Sequence, residues 1–101
     1  LEEHQIVFRN GVKPAVHEQG RKDVSVLEPG DTLVVYTDGV TEAQDSRGRE
    51  FGEKRLIDVI WTQFSLSPAR LQEKLLASVQ EFVGATPIRD DLTLLLLRAV
   101  A

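Results

Sequence analysis

The chain has 101 residues, of which 42% are hydrophobic and 28% are charged, and its formal net charge is −4. This size and balance predict one soluble globular domain or a piece of one, and they exclude a disordered chain. The chain has no cysteine, which excludes disulfides and thiolate metal sites. No apolar run approaches the roughly 18 residues of a membrane span. Lys and Arg are scattered, which argues against a nucleic-acid partner.

The first half of the chain has the pattern of strands joined by turns. Residues 5–9 predict a short strand, and a hairpin signal follows at Asn10 and Gly11. Residues 23–27 alternate and predict a further strand. Residues 28–31 predict a turn, because Pro presets φ and Gly accepts positive φ. The apolar, β-branched run 32–37 predicts a central strand.

The second half predicts two helices and a last strand. Residues 52–64 place apolar side chains on one stripe at helical spacing. Ser67 and Pro68 are typical of the N-cap and first position of a second helix, and Gly84 is typical of the residue after its end. Residues 92–98 predict the last strand. This order predicts an α+β fold, mainly antiparallel, with the helices on one face of the sheet.

Acidic residues lie at the ends of two predicted strands. Asp38 follows strand 32–37 and precedes Gly39, and Asp90 and Asp91 precede the last strand. Carboxylates held at strand ends are ligands that Mg²⁺ and Mn²⁺ prefer. Pointing into one cleft, these acids would form part of a metal site for phosphate chemistry. The alternative for Asp38 is an ordinary Asp-Gly turn. The alternative for Asp90 and Asp91 is a strand-start or capping acid, or an acid that protects the edge of the sheet.

Other polar residues near these positions have two interpretations each. Glu42 is a candidate for a carboxylate that hydrogen-bonds a metal-bound water, or it is a structural or solvated acid. Arg89 contacts a substrate phosphate, or it pairs with Asp90. His4 and His17 lie in the least patterned part of the chain, without the spacing of a metal motif. We therefore expect both histidines to be surface residues.

Three landmarks in order resemble the C-terminal half of a bacterial PPM-type serine/threonine phosphatase of the SpoIIE/RsbU-like branch. They are residues 27–43, which contain Glu-Pro-Gly-Asp and Thr-Asp-Gly-Val-Thr-Glu-Ala, then Phe-Gly-Glu-Lys-Arg-Leu at 51–56 and Arg-Asp-Asp-Leu-Thr at 89–93. The likeness covers about residues 23–100, whereas residues 1–22 match poorly. It identifies residues 1–101 as the C-terminal portion of a single phosphatase domain.

The resemblance implies a partial α/β/β/α sandwich and, in the complete domain, a site for two Mn²⁺ or Mg²⁺ ions. In that family a water held between the metals attacks phosphoserine or phosphothreonine directly. By motif, Asp38 and Asp90 carry over as metal ligands. Gly39 carries over as a glycine that permits close approach, and Glu42 and Asp91 are accessory candidates. No catalytic residue beyond the metal ligands carries over.

The family has another Asp-Gly landmark in its first half, whose Asp bridges both metals, and this chain has no second Asp-Gly. Because the first residue is not Met, we expect a piece of a longer protein. We expect the parent to be an active, cytoplasmic bacterial phosphatase and the isolated chain to be inactive. The implied substrate is a phosphoprotein, usually an anti-sigma-factor antagonist.

Two other hypotheses remain open. A non-catalytic, phosphatase-like module would bind protein or form a homodimer through exposed strand edges. A small structural α+β domain would carry its acids by coincidence. We expect no contact with nucleic acid or membrane under any of the three hypotheses.

Overall fold

A single antiparallel sheet and three helices make up the described part of the chain. The computed structural model describes residues 3–9, 13–14, 27–85 and 94–99. In chain order the elements are β1 (Glu3–Phe8), β2 (Thr32–Thr37), α1 (Asp38–Thr41), α2 (Gly52–Thr62), α3 (Pro68–Val83) and β3 (Leu94–Arg98). The sheet order is β1-β2-β3. The predicted α+β class is confirmed, with α2 and α3 before the last strand.

The strand β2 is central, as its apolar and β-branched sequence predicted. Val34 of β2 lies opposite Ile6 of β1 and Leu96 of β3. Side chains alternate along a strand, so these three residues share one face, and all three are buried. The predicted hairpin at Asn10 and Gly11 lies outside the described residues, as does most of the predicted strand 23–27.

The helices α2 and α3 pack on this buried face. Their apolar stripes form one core with the sheet, to which α2 gives Leu56, Ile57 and Ile60, and α3 gives Leu71, Leu75, Val79 and Val83. Burying one such side chain contributes about 1.5–3 kcal/mol. This packing fixes the sheet against the helices and so fixes the position of the C-terminal end of β2. In the described segments, no helix is both long and apolar enough to cross a membrane.

The opposite face of the sheet is also apolar. It carries Leu33, Val35, Leu95 and Leu97, and none of these side chains belongs to the core. Leu95 is 47% exposed and Leu97 is 50% exposed. Folded domains usually cover an apolar sheet face with a second layer. In the part of the chain that the structure describes, the helices cover one face of the sheet, and the other face presents an apolar surface.

A hydrogen-bonded turn leads into β2, as the Glu-Pro-Gly-Asp sequence predicted. The backbone nitrogen of Asp31 donates to the carbonyl of Glu28 over 2.9 Å, and Gly30 has a φ of 94°. Glycine suits this position because positive φ strains other residues. The buried carboxylate of Asp31 accepts from the Glu28 nitrogen at 2.9 Å and from Arg9 at 2.7 Å. These bonds tie the start of β2 to the segment that follows β1.

The ends of α3 also agree with the local sequence. Pro68 is its first residue, and the Ser67 hydroxyl accepts a hydrogen bond from the Arg70 nitrogen at 3.3 Å. At the other end Gly84 has a φ of 69°, and its nitrogen donates to the carbonyl of Gln80 at 3.0 Å. Both predicted boundaries of this helix are confirmed.

Candidate metal centre

Asp38 lies at the end of the central strand, where its sequence context predicted it. Thr37 ends β2 in an extended conformation, with φ −108° and ψ 168°. The chain then forms the single turn α1, which is closed by a hydrogen bond of 2.8 Å from the Glu42 nitrogen to the Asp38 carbonyl. Val40 in this turn is fully buried in the core and anchors it. The Asp38 side chain thus extends from a rigid support, and it is 32% exposed.

The Asp38 carboxylate contacts a histidine from the first strand. Nε2 of His4 lies 2.5 Å from Oδ1 of Asp38. An ionised carboxylate can only accept a hydrogen bond, so we assign His4 the tautomer in which Nε2 carries the hydrogen and donates it. The His4 ring also stacks on Tyr36, with ring centroids 5.3 Å apart and planes inclined by 30°. The His4 side chain is 36% exposed, so the pair is half-buried and open to solvent on one side.

His4 was predicted to be a surface residue, and its side chain is partly exposed, but its contacts with Asp38 and Tyr36 were not predicted. The antiparallel register sets His4 directly opposite Tyr36, and this brings it to the end of β2 where Asp38 follows. Strand alternation also puts His4 on the same face as Ile6 and Phe8. That alternation was a signal in the sequence, but it indicates a site only once the pairing of β1 with β2 is known.

A further contact connects this end of the sheet to α2. The Tyr36 hydroxyl donates to Oε2 of Glu53 over 2.7 Å. Tyr36 is nearly fully buried, and Glu53 lies in the first turn of α2. Gly52, which begins that helix, has a φ of 84°, a conformation that favours glycine. The Phe-Gly-Glu landmark therefore places Glu53 against the hydroxyl of Tyr36, whose ring stacks on His4.

The accessory candidates Gly39 and Glu42 both lie in or beside α1. Gly39 is helical, so the chain does not use a left-handed glycine to turn after Asp38. Its role as a close-approach glycine stays a prediction. Glu42 ends α1 and its side chain is exposed. This exposure agrees with a solvated acid, and a hydrogen bond from Glu42 to a metal-bound water stays a prediction.

The loop between α1 and α2 is held by Asp45. Its Oδ1 accepts from the backbone nitrogens of Arg47 and Arg49, each at 2.9 Å, and its Oδ2 accepts from the Arg49 guanidinium at 2.8 Å. Gln44 and Glu50 pair as an isolated antiparallel bridge across the loop. Burial raises the pKa of Asp45, but the hydrogen bonds from Arg49 and Arg47 outweigh it and hold that pKa below its ordinary value.

This lowered pKa gives a pH-dependent stability. A group whose pKa falls on folding stabilises the protein above its unfolded pKa, about 3.9 for Asp, and loses that effect as the pH falls through the folded pKa. Urea unfolding of the wild type and of Asp45→Asn should therefore show a wild-type advantage at pH 6 that shrinks below about pH 4. Asn keeps the size of the side chain but replaces one acceptor oxygen with a donor, so the pH dependence of the difference, and not its absolute size, reports the charge. An advantage that persists undiminished at pH 2 would contradict this account of Asp45.

The candidate site residues Arg89, Asp90 and Asp91 lie outside the described residues, as does His17, which was predicted to be a surface residue. Across residues 3–9, 13–14, 27–85 and 94–99, no group of three His, Cys, Asp or Glu side chains could hold a metal ion. The chemistry of Asp38 nevertheless fits a hard divalent cation, because its carboxylate is accessible and rigidly supported. Of the two predicted ligands, the described residues thus contain Asp38, and the assignments of both Asp38 and Asp90 stay predictions.

Residues 11–100 match the family model described as Stage II sporulation protein E (SpoIIE). The chain belongs to the SpoIIE family. The fold of this SpoIIE-family chain is similar to the SiaA-PP2C domain of Pseudomonas aeruginosa, with a TM-score of 0.65 and 31% identity. The match covers 72% of this chain and 30% of that chain. The predicted relationship to a PPM-type phosphatase domain is confirmed for family and fold.

A curated relative shows a shorter match. The chain is 41% identical over 39 residues to Protein IcfG of Synechocystis sp.. The matched segment is 39% of this chain and 6% of that protein. This SpoIIE-family chain therefore spans less than a third of either relative. The activity, substrates and partners of a whole protein do not follow from matches of this extent.

Proposed function

We propose that the full-length protein containing this chain is a metal-dependent phosphatase that hydrolyses phosphoserine or phosphothreonine on a regulatory protein. The observation that supports this most strongly is the placement of Asp38. It is an accessible carboxylate at the end of the buried central strand, in a chain of the SpoIIE family. Hard cations select carboxylate oxygens held in this way.

The expected cofactor is Mn²⁺ or Mg²⁺. Bound divalent cations polarise a phosphoryl oxygen and lower the pKa of bound water, so that it attacks at neutral pH. Asp38 would supply one oxygen ligand, and Asp90, by its motif, would supply another. Hard cations gain affinity with ligand number and charge, so two carboxylates alone would bind Mn²⁺ weakly. The isolated chain should for that reason be inactive.

The proposed substrate is a phosphoprotein of bacterial signalling, such as a phosphorylated anti-sigma-factor antagonist, in the cytoplasm. This part of the proposal rests on the family resemblance. An accessible, partly exposed carboxylate is compatible with a substrate as large as a folded protein, because the phosphate need not enter a closed cavity. A phosphoserine peptide is therefore a suitable probe beside a generic aryl phosphate.

The test is an assay of the full-length protein on p-nitrophenyl phosphate and on a phosphoserine peptide, with Mn²⁺, Mg²⁺ or EDTA. We expect hydrolysis that requires a divalent cation. Asp90→Asn should lower kcat/KM by about 100-fold or more, because a charged ligand is lost. Asp91→Asn is the matched control, and we expect it to change kcat/KM by less than about 10-fold. Absence of hydrolysis with either metal would contradict the proposal.

A second candidate function is supported by the exposed apolar face of the sheet. Leu95 and Leu97 are about half exposed there, and such surfaces commonly mark interfaces. A non-catalytic, phosphatase-like module would use this surface, or the free edges of β1 and β3 in the described sheet, to form a homodimer. The same assay separates the two candidates. No turnover with any metal, together with a dimer in light scattering that Leu97→Lys dissociates, would favour the module.

A further inference from the structure

We propose that His4 is a positioning residue for the cation site, which it serves by orienting the Asp38 carboxylate. In this arrangement the His4 ring holds Oδ1 of Asp38, and Oδ2 would be the oxygen available to a cation. The inference rests on the proposed function, since it requires Asp38 to be a ligand. His4 lies in the first strand, 34 positions before Asp38 in the chain.

The first support is the contact itself. Nε2 of His4 and Oδ1 of Asp38 are 2.5 Å apart, so the ring N–H points at one carboxylate oxygen. Among the described residues, His4 is the only side chain that bonds this carboxylate. A carboxylate on a freely rotating side chain would lose rotamer entropy on binding a cation. A hydrogen bond to one oxygen removes part of that cost in advance.

The second support is the way in which His4 is itself held. Its ring stacks on Tyr36, which is nearly fully buried in the core. The Tyr36 hydroxyl in turn donates to Glu53 of α2 at 2.7 Å. The strand register sets His4 opposite Tyr36, so the backbone of β1 also limits its position. Glu53, Tyr36 and His4 thus form a continuous set of contacts that ends on Asp38.

A positioning role fits His4 better than a role as a metal ligand. In the tautomer assigned from the contact with Asp38, Nε2 carries the hydrogen, so this nitrogen has no lone pair to offer a cation. Within the described ranges, no third acidic or histidine side chain joins the pair to form a metal cluster. Groups that hydrogen-bond a ligating carboxylate orient it, and their loss typically costs 10–100-fold in metal affinity or activity.

The experiment measures Mn²⁺ affinity of the full-length protein at one fixed pH, by calorimetry and by the electron paramagnetic resonance signal of free Mn²⁺. His4→Phe keeps a ring to stack on Tyr36 but removes the donor. We expect it to weaken Mn²⁺ binding by about 10-fold. His4→Gln restores an N–H donor without the ring, and we expect its affinity to lie within about 3-fold of the wild type. Melting temperatures in EDTA report the fold of each variant separately.

The outcomes separate the inference from the function on which it rests. Unchanged or tighter Mn²⁺ binding in His4→Phe overturns the positioning role, as does a His4→Gln variant no better than His4→Phe. If Asp38→Asn weakens binding while His4→Phe does not, only the inference fails. If the wild type binds no Mn²⁺, both fail. Should His4→Phe not fold, His4→Leu takes its place, and the comparison with His4→Gln is unchanged.

Discussion

Asp38→Asn should reduce the Mn²⁺-dependent phosphatase activity of the full-length protein by about 100-fold or more. The amide keeps the size of the side chain but removes the negative charge that a hard cation requires. Asp38 is 32% exposed and lies outside the core, so the fold should survive the change. Steady-state kinetics over a range of Mn²⁺ concentrations would show whether the loss lies in metal affinity or in turnover.

Glu42→Gln is the matched control for this experiment. It removes an equal charge four residues further along the chain, from an exposed side chain. Because the Glu42 side chain is exposed, we expect less than about a 3-fold change in kcat/KM, and a larger loss would favour a hydrogen bond from Glu42 to a metal-bound water. Activity retained by Asp38→Asn at saturating and limiting Mn²⁺ would contradict the assignment of Asp38. That result would favour the alternative interpretation, in which Asp38 is an ordinary residue of an Asp-Gly turn.

Arg98→Met should lower the free energy of unfolding by about 2–3 kcal/mol, measured by urea denaturation. The Arg98 guanidinium donates to Oγ1 of Thr32 at 2.9 Å, to the carbonyl of Leu66 at 2.9 Å and to that of Phe64 at 3.0 Å. It also lies 5.0 Å from the centroid of the Phe64 ring. Thr32 is fully buried, so its hydroxyl would lose a partner that water cannot replace.

Two controls separate the geometry of Arg98 from its charge. Arg98→Lys keeps the charge but cannot reach all three acceptors, so we expect about half of the loss seen in Arg98→Met. Arg70→Met removes an exposed arginine whose ion pair with Glu73 is 3.4 Å long. We expect that change to cost less than about 0.5 kcal/mol. An Arg98→Lys variant as stable as the wild type would contradict this account. It would show that the three hydrogen bonds of the Arg98 guanidinium do not stabilise β3 against the helices.

Local signals were enough to predict most of the elements. The Ser67 and Pro68 pair fixes the start of α3, and Gly84 fixes its end, because capping depends on neighbouring residues alone. The run Thr32–Thr37 has the composition of a central strand, and the structure gives the same bounds. The same pattern predicted that Asp38 lies directly after the end of this strand, as the structure has it. The two-helix order before the last strand then fixed the α+β class.

The turn α1 was not predicted, since four residues that include a glycine have little helical tendency of their own. Helix nucleation costs more free energy than one hydrogen bond returns, so a single turn needs support from the rest of the protein. Burial of Val40 in the core supplies that support here. The direction of the Asp38 side chain after β2 therefore depends on tertiary packing.

By itself, then, the sequence determined the positions of β2 and α3, the fold class and the candidate role of Asp38. Only the tertiary structure brought His4 to Asp38, across 34 residues, and Arg98 to Thr32, across 66. It also decided which face of the sheet the helices cover, and left Leu95 and Leu97 exposed. The physical reason is that caps and turns depend on adjacent residues. Strand register and side-chain contacts, in contrast, depend on pairing between distant segments, which no local pattern specifies.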